Sequence, residues 1–180
     1  QRIDLTTGKA TRIVENTEVT GFVLDHGRVV GVRTERGDIE CEKVVIAAGL
    51  WGREVAAKAG VTVPLQAAEH YYLLTEPIPG VTPESVPVIE DGEAYGYYRE
   101  EGGGLLVGMF EPVAAAWALD GTPPDSAFAV LPPDWDRMAP YLEAAMSRVP
   151  VSFDTGIRTF FCGPESFTPD LRPIVGPVPE

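Results

Sequence analysis

Short β-prone runs separated by glycine turns restrict the fold of this chain more than any other feature. In the first part, the runs Val19–Asp25, Arg28–Thr34 and Asp38–Glu42 are separated by the pairs His26-Gly27 and Arg36-Gly37. A residue-plus-glycine pair between two β-prone runs is typical of a hairpin. The 17 prolines and 19 glycines among 180 residues add turn formers throughout and disfavour a helical bundle. The pattern predicts a small antiparallel meander.

A different pattern follows the meander. Residues Lys43–Ala48 (KVVIAA) are apolar without alternation, which is typical of a strand buried on both faces. Gly49 ends this run, and Gly52–Gly60 has the alanine-rich composition of a short helix that stops at its last glycine. A buried strand, a glycine turn and a helix together predict part of a nucleotide-binding αβ layer. The glycine also lets a backbone approach a ligand, although an ordinary turn accounts for it equally well.

The second part of the chain predicts another antiparallel sheet. The expected strands are bounded by prolines and glycine turns, and they cover residues 66–75, 86–90, 94–99, 105–110 and 154–161. Asp134–Val149 has apolar residues at helical spacing, and Pro140 within it predicts either a kink or a later start. We also expect short strands at Arg12–Glu15 and Ile174-Val175.

The predicted fold class is therefore α+β: an antiparallel sheet with a helix on one face, plus part of an αβ layer with a small β-meander. Residues 1–61 are expected to form the meander, the buried strand and its helix. Residues 62–161 are expected to form the second sheet, and residues 162–180 a turn-rich return toward the first part.

Composition and charge argue against several classes of function. The formal net charge of −13 disfavours binding to nucleic acid or to an anionic membrane. No apolar run approaches the ~20 residues that a membrane-spanning helix needs. Cys41 and Cys162 are far apart and form no metal-binding motif, so we expect no metal site.

Two polar groups in the second sheet are candidates for chemistry. His70, one of only two histidines, lies in the first predicted strand of that sheet, where a lone histidine is more often structural. In the segment YGYYR, alternation places Tyr95, Tyr97 and Arg99 on one face and Tyr98 on the other. Arginine binds carboxylates through paired hydrogen bonds, so this face can orient a small anion. An aromatic strand with a solvated arginine fits the same pattern.

Five segments together resemble the dimethylglycine dehydrogenase, sarcosine dehydrogenase and dimethylglycine oxidase group of the D-amino-acid-oxidase-like flavoproteins. They are RIVENTEVTGF (12–22), KVVIAAGLWGREVAAKAGVTVPL (43–65), EHYYLLTEPIPG (69–80), YYRE (97–100) and CGPESFTPDLRPIVG (162–176). Each segment is weak alone, but their order and spacing match across nearly all of the chain from Arg12 onward. The resemblance implies part of an FAD-binding domain in residues 1–61 and a substrate-binding domain in residues 62–161.

The resemblance also implies an activity and two catalytic residues. The group's His-x-Tyr motif implies that His70 lies near the flavin, and its Tyr-Tyr-Arg motif implies that Tyr97 lines the substrate pocket. The expected reaction is hydride transfer from an N-methylated glycine, of the dimethylglycine or sarcosine type, to FAD. We expect His70 and Tyr97 on adjacent strands of the second sheet with their side chains on one face, and Arg99 near the substrate carboxylate.

The same resemblance implies where the cofactor lies. Ala48, Gly49 and Trp51 are expected along the FAD, and the backbone of Val19 is expected at the adenine. The group's Gly-x-Gly-x-x-Gly phosphate loop does not occur in this sequence, so we expect a section of a longer protein that does not hold FAD tightly by itself. Glu69 stands where some dehydrogenases have a second histidine, which leaves the exact substrate open.

An alternative reading comes from a different class of protein. The resemblance extends to the regulatory subunit of pyruvate dehydrogenase phosphatase, a partner-binding protein, through the motifs at residues 70–75 and 164–170. A further alternative is a folded module without activity of its own. For the enzyme reading, a folate-binding domain elsewhere in the longer protein is a plausible companion. The expected location is then the bacterial cytoplasm or the mitochondrial matrix.

Overall fold

The computed structural model describes residues 2–3 and 10–178. The chain divides into two compact units. The first unit combines the residues up to Pro64 with those from Ile174 onward, and the second unit is Leu65–Pro173. Among the described residues, neither α-helix is long and apolar enough to span a membrane.

The first unit contains the predicted meander. Its strands are β1 (Arg2–Ile3), β2 (Ala10–Thr11), β3 (Val19–Asp25), β4 (Arg28–Thr34) and β5 (Gly37–Glu40). β1 pairs with β2, and β3, β4 and β5 form a three-stranded antiparallel sheet in that order. His26 and Gly27 have φ angles of 47° and 79°, and two successive left-handed residues match the twist of a tight hairpin. The meander is confirmed, with a third strand that begins and ends earlier than predicted.

Two predicted strands before Pro64 are wrong. Neither Arg12–Glu15 nor Lys43–Ala48 is a strand, and Val45 is 88% exposed. A strand that is buried on both faces needs a neighbour along each edge to satisfy its backbone N–H and C=O groups. Within the described part of the chain, no strand pairs with residues 43–48. Among the described residues, the apolar run therefore lacks the neighbouring strands that a strand buried on both faces requires.

The predicted helix follows this exposed segment. A 3₁₀ turn at Gly49–Trp51 leads directly into α1 (Gly52–Ala57). Gly60 has a φ of 77°, the left-handed conformation in which glycine commonly follows the end of a helix. The helix is confirmed, although its α-helical part ends three residues before Gly60.

The second unit is an antiparallel sheet with one long helix. Its elements are β6 (Gln66–Thr75), β7 (Ile89–Asp91), β8 (Gly96–Glu101), β9 (Gly104–Met109), α2 (Trp135–Ser147) and β10 (Ile157–Phe167). The strand order is β10-β6-β9-β8-β7, and every neighbouring pair is antiparallel. The predicted α+β class is confirmed for this unit.

The last strand differs most from its prediction. β10 begins three residues later than expected and continues to Phe167, because it pairs with β6 as far as Gln66. Pro164 lies within it, which is tolerated because β10 is an edge strand of the sheet. The predicted turn-rich segment after Phe161 is therefore partly strand, and Ile174-Val175 is not a strand.

The hydrophobic core lies between one face of the sheet and α2. Its members alternate along the strands and recur at helical spacing on α2, and they include Tyr71, Leu73, Tyr98, Val107, Met109, Met138, Leu142, Ala145 and Cys162. The Asp134 side chain accepts a hydrogen bond of 3.0 Å from the Arg137 backbone N–H and caps the helix. The helix begins before Pro140, so the predicted later start is wrong.

Candidate active site

The sheet face opposite α2 carries the predicted catalytic residues. Side chains alternate across a strand, so the burial of Tyr71 and Tyr98 against α2 directs their neighbours His70 and Tyr97 to the other face. His70 Nε2 lies 3.2 Å from the Tyr97 hydroxyl oxygen, within hydrogen-bond distance. The prediction that the two side chains share one face is confirmed.

The prediction that they lie on adjacent strands is wrong. His70 is on β6 and Tyr97 on β8, and β9 runs between them. Tyr97 is paired with Gly108 of β9, and a Cβ built on Gly108 would overlap the tyrosine ring. The tyrosine ring therefore lies over Gly108 of the intervening strand, in space that only a glycine leaves free. Gly108 is the residue that permits the His70–Tyr97 contact.

Aromatic rings surround the pair. The Phe110 ring centroid lies 4.9 Å from that of His70 and 5.3 Å from that of Tyr97. Phe167 lies 6.2 Å from His70 on the β10 side. The His70 side chain is only 16% exposed. This burial lowers the pKa of His70 below its ordinary value, because an apolar environment disfavours the imidazolium.

The electrostatic environment keeps Tyr97 protonated. Burial raises the pKa of Tyr97, the nearby Glu165 carboxylate raises it further, and Arg99 acts in the opposite direction. A neutral phenol can donate one hydrogen bond and accept others. The pair therefore consists of a neutral hydroxyl beside an imidazole that favours its neutral, basic form.

Glu165 joins this site, and the sequence reasoning gave it no role. Its Oε2 atom lies 3.9 Å from His70 Nδ1, on the side of the ring opposite Tyr97. The residue was missed because β10 was expected to end at Phe161. Alternation along the longer strand places Phe161, Gly163, Glu165 and Phe167 on one face, and this signal would have found it.

The other two residues of the YGYYR face behave differently from Tyr97. Arg99 forms an ion pair of 2.7 Å with Glu101 on a half-exposed surface, so its role toward a substrate carboxylate stays a prediction. Tyr95 precedes β8 with a φ of 54°, and its ring contacts Tyr141 of α2. The prediction that Tyr95 shares the face of Tyr97 is wrong, because the left-handed backbone conformation of Tyr95 breaks the alternation of side chains.

A second charged cluster lies on the helix side of the sheet. Arg137 of α2 forms ion pairs with Glu69 and with the buried Glu111, the latter at 3.1 Å, and donates a hydrogen bond of 3.1 Å to the Tyr71 hydroxyl. Burial raises the pKa of Glu111, and the Arg137 guanidinium opposes that shift. Glu69 thus faces away from His70 and is tied to the core.

The predicted FAD contacts all lie in the first unit. Val19 begins β3 and lines an open groove of about 340 Å³ whose walls are mostly apolar. Its carbonyl accepts a hydrogen bond of 2.7 Å from Lys58 Nζ. Ala48, Gly49 and Trp51 form a separate 3₁₀ turn and do not line that groove.

The turn does offer an open backbone. Gly49 has a φ of 52°, and a Cβ built there would meet no atom within 4 Å. An exposed glycine after an apolar segment leaves room for a ligand to approach the backbone. The contacts of Val19, Ala48, Gly49 and Trp51 with FAD stay a prediction.

Comparison with known proteins settles the family. Residues 6–180 match the family model described as DAO, FAD dependent oxidoreductase. The chain belongs to this FAD-dependent oxidoreductase family. The resemblance that the sequence motifs indicated is confirmed.

Several curated proteins are similar to this chain over most of its length. The chain is 40% identical to mitochondrial sarcosine dehydrogenase of Mus musculus, over 96% of this chain and 19% of the relative. It is 42% identical to 4-methylaminobutanoate oxidase (formaldehyde-forming) of Paenarthrobacter nicotinovorans, over 94% of this chain and 20% of the relative. It is also 34% identical to the mitochondrial pyruvate dehydrogenase phosphatase regulatory subunit of Mus musculus, over 93% of this chain and 19% of that protein.

A solved structure supports the fold. L-proline dehydrogenase from P. horikoshii superposes with a TM-score of 0.71 at 22% identity, over 92% of this chain and 42% of the other. The chain therefore shares its fold with part of this dehydrogenase structure. The chain spans about a fifth of the length of the curated relatives described above.

Proposed function

We propose that this chain is the substrate-binding section of an FAD-dependent oxidoreductase that oxidises an N-methylated amino acid of the sarcosine or dimethylglycine type. The contact of 3.2 Å between His70 Nε2 and the Tyr97 hydroxyl carries this proposal. It places a base and a neutral hydroxyl on one aromatic face, in a chain 40% identical to a sarcosine dehydrogenase. We further propose a bacterial cytoplasmic or mitochondrial matrix location and, elsewhere in the longer protein, a folate-binding domain.

The chemistry requires control of one proton. A secondary or tertiary amine is an ammonium ion at neutral pH, and its nitrogen lone pair must be free before a hydride can leave the N-methyl carbon. His70 is suited to accept that proton, because its burial favours the neutral imidazole near pH 7. The Tyr97 hydroxyl lies 3.2 Å from His70 Nε2, so it can orient the amine and pass the proton to the histidine.

FAD supplies the acceptor for the hydride when it is bound. In the proposed role, the Val19 backbone and the turn at Ala48, Gly49 and Trp51 hold part of the cofactor. The aromatic rings of the second unit exclude water around the amine. A dry setting strengthens the hydrogen bonds that position the substrate.

Arg99 is proposed to bind the substrate carboxylate. It lies two residues beyond Tyr97 on the same strand face, and its present partner Glu101 is half-exposed. A surface ion pair of this kind contributes little free energy, so a substrate carboxylate can replace Glu101. The spacing between Tyr97 and Arg99 would then select among N-methyl acids by the distance between their amine and their carboxylate. The names of two similar proteins include sarcosine and 4-methylaminobutanoate, which differ in that distance.

The second candidate function is partner binding without catalysis. The observation that favours it is the 34% identity to the pyruvate dehydrogenase phosphatase regulatory subunit, which extends over 93% of the chain. In that case the His70–Tyr97 contact would stabilise the sheet and would have no reacting amine to serve.

The test uses the longer protein that contains this chain, purified with its flavin. Anaerobic addition of sarcosine, dimethylglycine or 4-methylaminobutanoate is expected to bleach the visible flavin absorbance, whereas glycine, which lacks an N-methyl group, serves as the control. Bleaching by at least one N-methyl acid supports the enzyme. A flavin that none of the three reduces would contradict the proposal and favour the regulatory role.

A further inference from the structure

Glu165 lies beside His70 and has no role in the proposed reaction as described above. It lies on β10 two residues beyond Gly163, and Gly163 is the register partner of His70. The register partner of Glu165 itself is Ala68. Glu165 Oε2 lies 3.9 Å from His70 Nδ1.

The two nitrogens of His70 therefore face two different groups. Nδ1 faces a carboxylate, and Nε2 faces the hydroxyl of Tyr97. A carboxylate beside one ring nitrogen favours a proton on that nitrogen. The other nitrogen then keeps its lone pair and acts as the acceptor. This arrangement leaves the Tyr97 oxygen with lone pairs directed away from the histidine.

We propose that Glu165 is the positioning residue of this site: it holds His70 as the Nδ1–H tautomer, so that Nε2 receives the proton that a substrate ammonium passes through Tyr97. The inference rests on the proposed function. One N–H bond of the ammonium breaks, and its electron pair stays on the amine nitrogen. The proton goes to the Tyr97 oxygen, while the original Tyr97 hydroxyl proton goes to His70 Nε2. Nothing is oxidised in this step, and the imidazolium is formed next to the Glu165 carboxylate.

The other groups around His70 do not provide the same charge. Phe110, directly after β9, contributes an apolar ring, and β10 contributes Phe167. Tyr97 on β8 and Tyr72 on β6 contribute phenol hydroxyls. Arg99 on β8 acts electrostatically on Tyr97 and is paired with Glu101.

The side chain of Glu165 is 56% exposed, so its carboxylate is in contact with solvent. Its effect on His70 is therefore the interaction of a partly screened charge at short range.

The first arm of the test measures His70 directly in the 180-residue chain. The chain has only two histidines, so two imidazole signals appear in an NMR titration, and the exposed His26 serves as the internal reference. Glu165→Gln is expected to lower the pKa of His70 and leave that of His26 unchanged. Glu143→Gln removes an equal charge from an exposed position on α2 and is expected to change neither. Glu165→Asp should retain most of the wild-type value.

Equal His70 pKa values in Glu165→Gln and Glu143→Gln would overturn the inference. Imidazole ¹⁵N shifts provide an independent reading of the tautomer. The neutral ring of the wild-type chain should be protonated at Nδ1. A ring protonated at Nε2 would also overturn it.

The second arm measures flavin reduction in the longer, FAD-loaded protein. In Glu165→Gln the limiting rate with the best N-methyl acid should fall in proportion to the lost basicity of His70, roughly tenfold for each tenfold loss of proton affinity. The flavin spectrum and the Kd for the substrate should stay close to those of Glu143→Gln.

An unchanged rate in a variant whose His70 pKa has fallen would contradict the role of Glu165. If no N-methyl acid reduces the wild-type flavin, the proposed function fails instead. The titration in the first arm still decides whether Glu165 controls His70.

Discussion

The two units of this chain differ in how completely they bury their apolar residues. In the second unit, Leu73 and Met138 are almost fully buried between the sheet and α2, and the strands pair in an unbroken order. In the first unit, Val45 belongs to an equally apolar run, yet it is 88% exposed and lies in no strand. Similar local composition thus leads to opposite burial.

The difference shows that the strands of an antiparallel meander and a strand buried on both faces find their hydrogen-bonding partners in different parts of a sequence. A hairpin or meander takes its partners from the neighbouring residues of the chain. A strand buried on both faces depends on strands and helices that are distant in sequence. The first kind forms wherever its own segment is present, whereas the second requires partners that residues 10–178 do not provide.

The largest expected difference between the units is in stability. Leu73→Ala should lower the free energy of unfolding of the 180-residue chain by about 2–5 kcal/mol, because it leaves a cavity in a packed core. Val45→Ala should change it by less than about 0.5 kcal/mol, because the side chain is already in solvent. Urea unfolding monitored by circular dichroism measures both. A comparable loss for Val45→Ala would show that residues 43–48 are buried.

Val45→Ala also tests, in the longer protein, whether residues 43–48 become buried. If residues 43–48 gain strand neighbours there, Val45→Ala should become destabilising by about 1 kcal/mol or more. A Val45→Ala variant that remains neutral in the longer protein would mean that the exposed conformation persists.

A smaller effect is expected at Gly108, where the second unit makes room for Tyr97. Gly108→Ala puts a methyl group in the space of the Tyr97 ring, and such overpacking costs about 1–3 kcal/mol unless the ring moves. We expect the ring to move, so that its NMR contacts with His70 disappear. Gly92→Ala is the matched control, because a Cβ at that turn meets no atom within 4 Å. Retained Tyr97–His70 contacts in Gly108→Ala would contradict the packing described for β9.

The smallest expected effect is a pH dependence of stability that arises from His70. Burial lowers the pKa of His70 in the folded state, so the unfolded chain binds this proton more tightly. The stability contributed by the neutral ring is complete above the ordinary pKa of 6.5 and is lost as the pH falls through the lower folded-state pKa. His70→Gln should flatten this part of the urea-midpoint profile, and His26→Gln should leave it unchanged. An identical slope in both variants would contradict the burial of His70.

The sequence allowed local elements to be predicted better than their partners. Gln66–Thr75 forms the predicted strand with both ends correct, because its β-prone residues are bounded by Pro64 and by Glu76-Pro77. The end of β10 was missed because Gly163 and Pro164 are turn formers locally, and pairing with β6 outweighs that tendency.

The site was predicted in part for the same reason. Motif resemblance found His70 and Tyr97, but their contact depends on a glycine in a third strand, and no local signal at either residue indicates Gly108. Predicting that Glu165 belongs to the site required the correct length of β10. Residue types were thus accessible from the sequence, whereas the register that brings them together was not.

The most direct test of the central claim is the rate of flavin reduction in the longer protein when His70 or Tyr97 is altered. Anaerobic rapid mixing with sarcosine or the best N-methyl acid should show a limiting rate about 100-fold or more lower in His70→Gln, because a general base has been removed. Tyr97→Phe should also be slower while its urea midpoint stays near that of the wild type, since only a hydroxyl is lost. Wild-type rates in both variants, across the pH range in which His70 titrates, would contradict the assignment of this face as the site of amine oxidation.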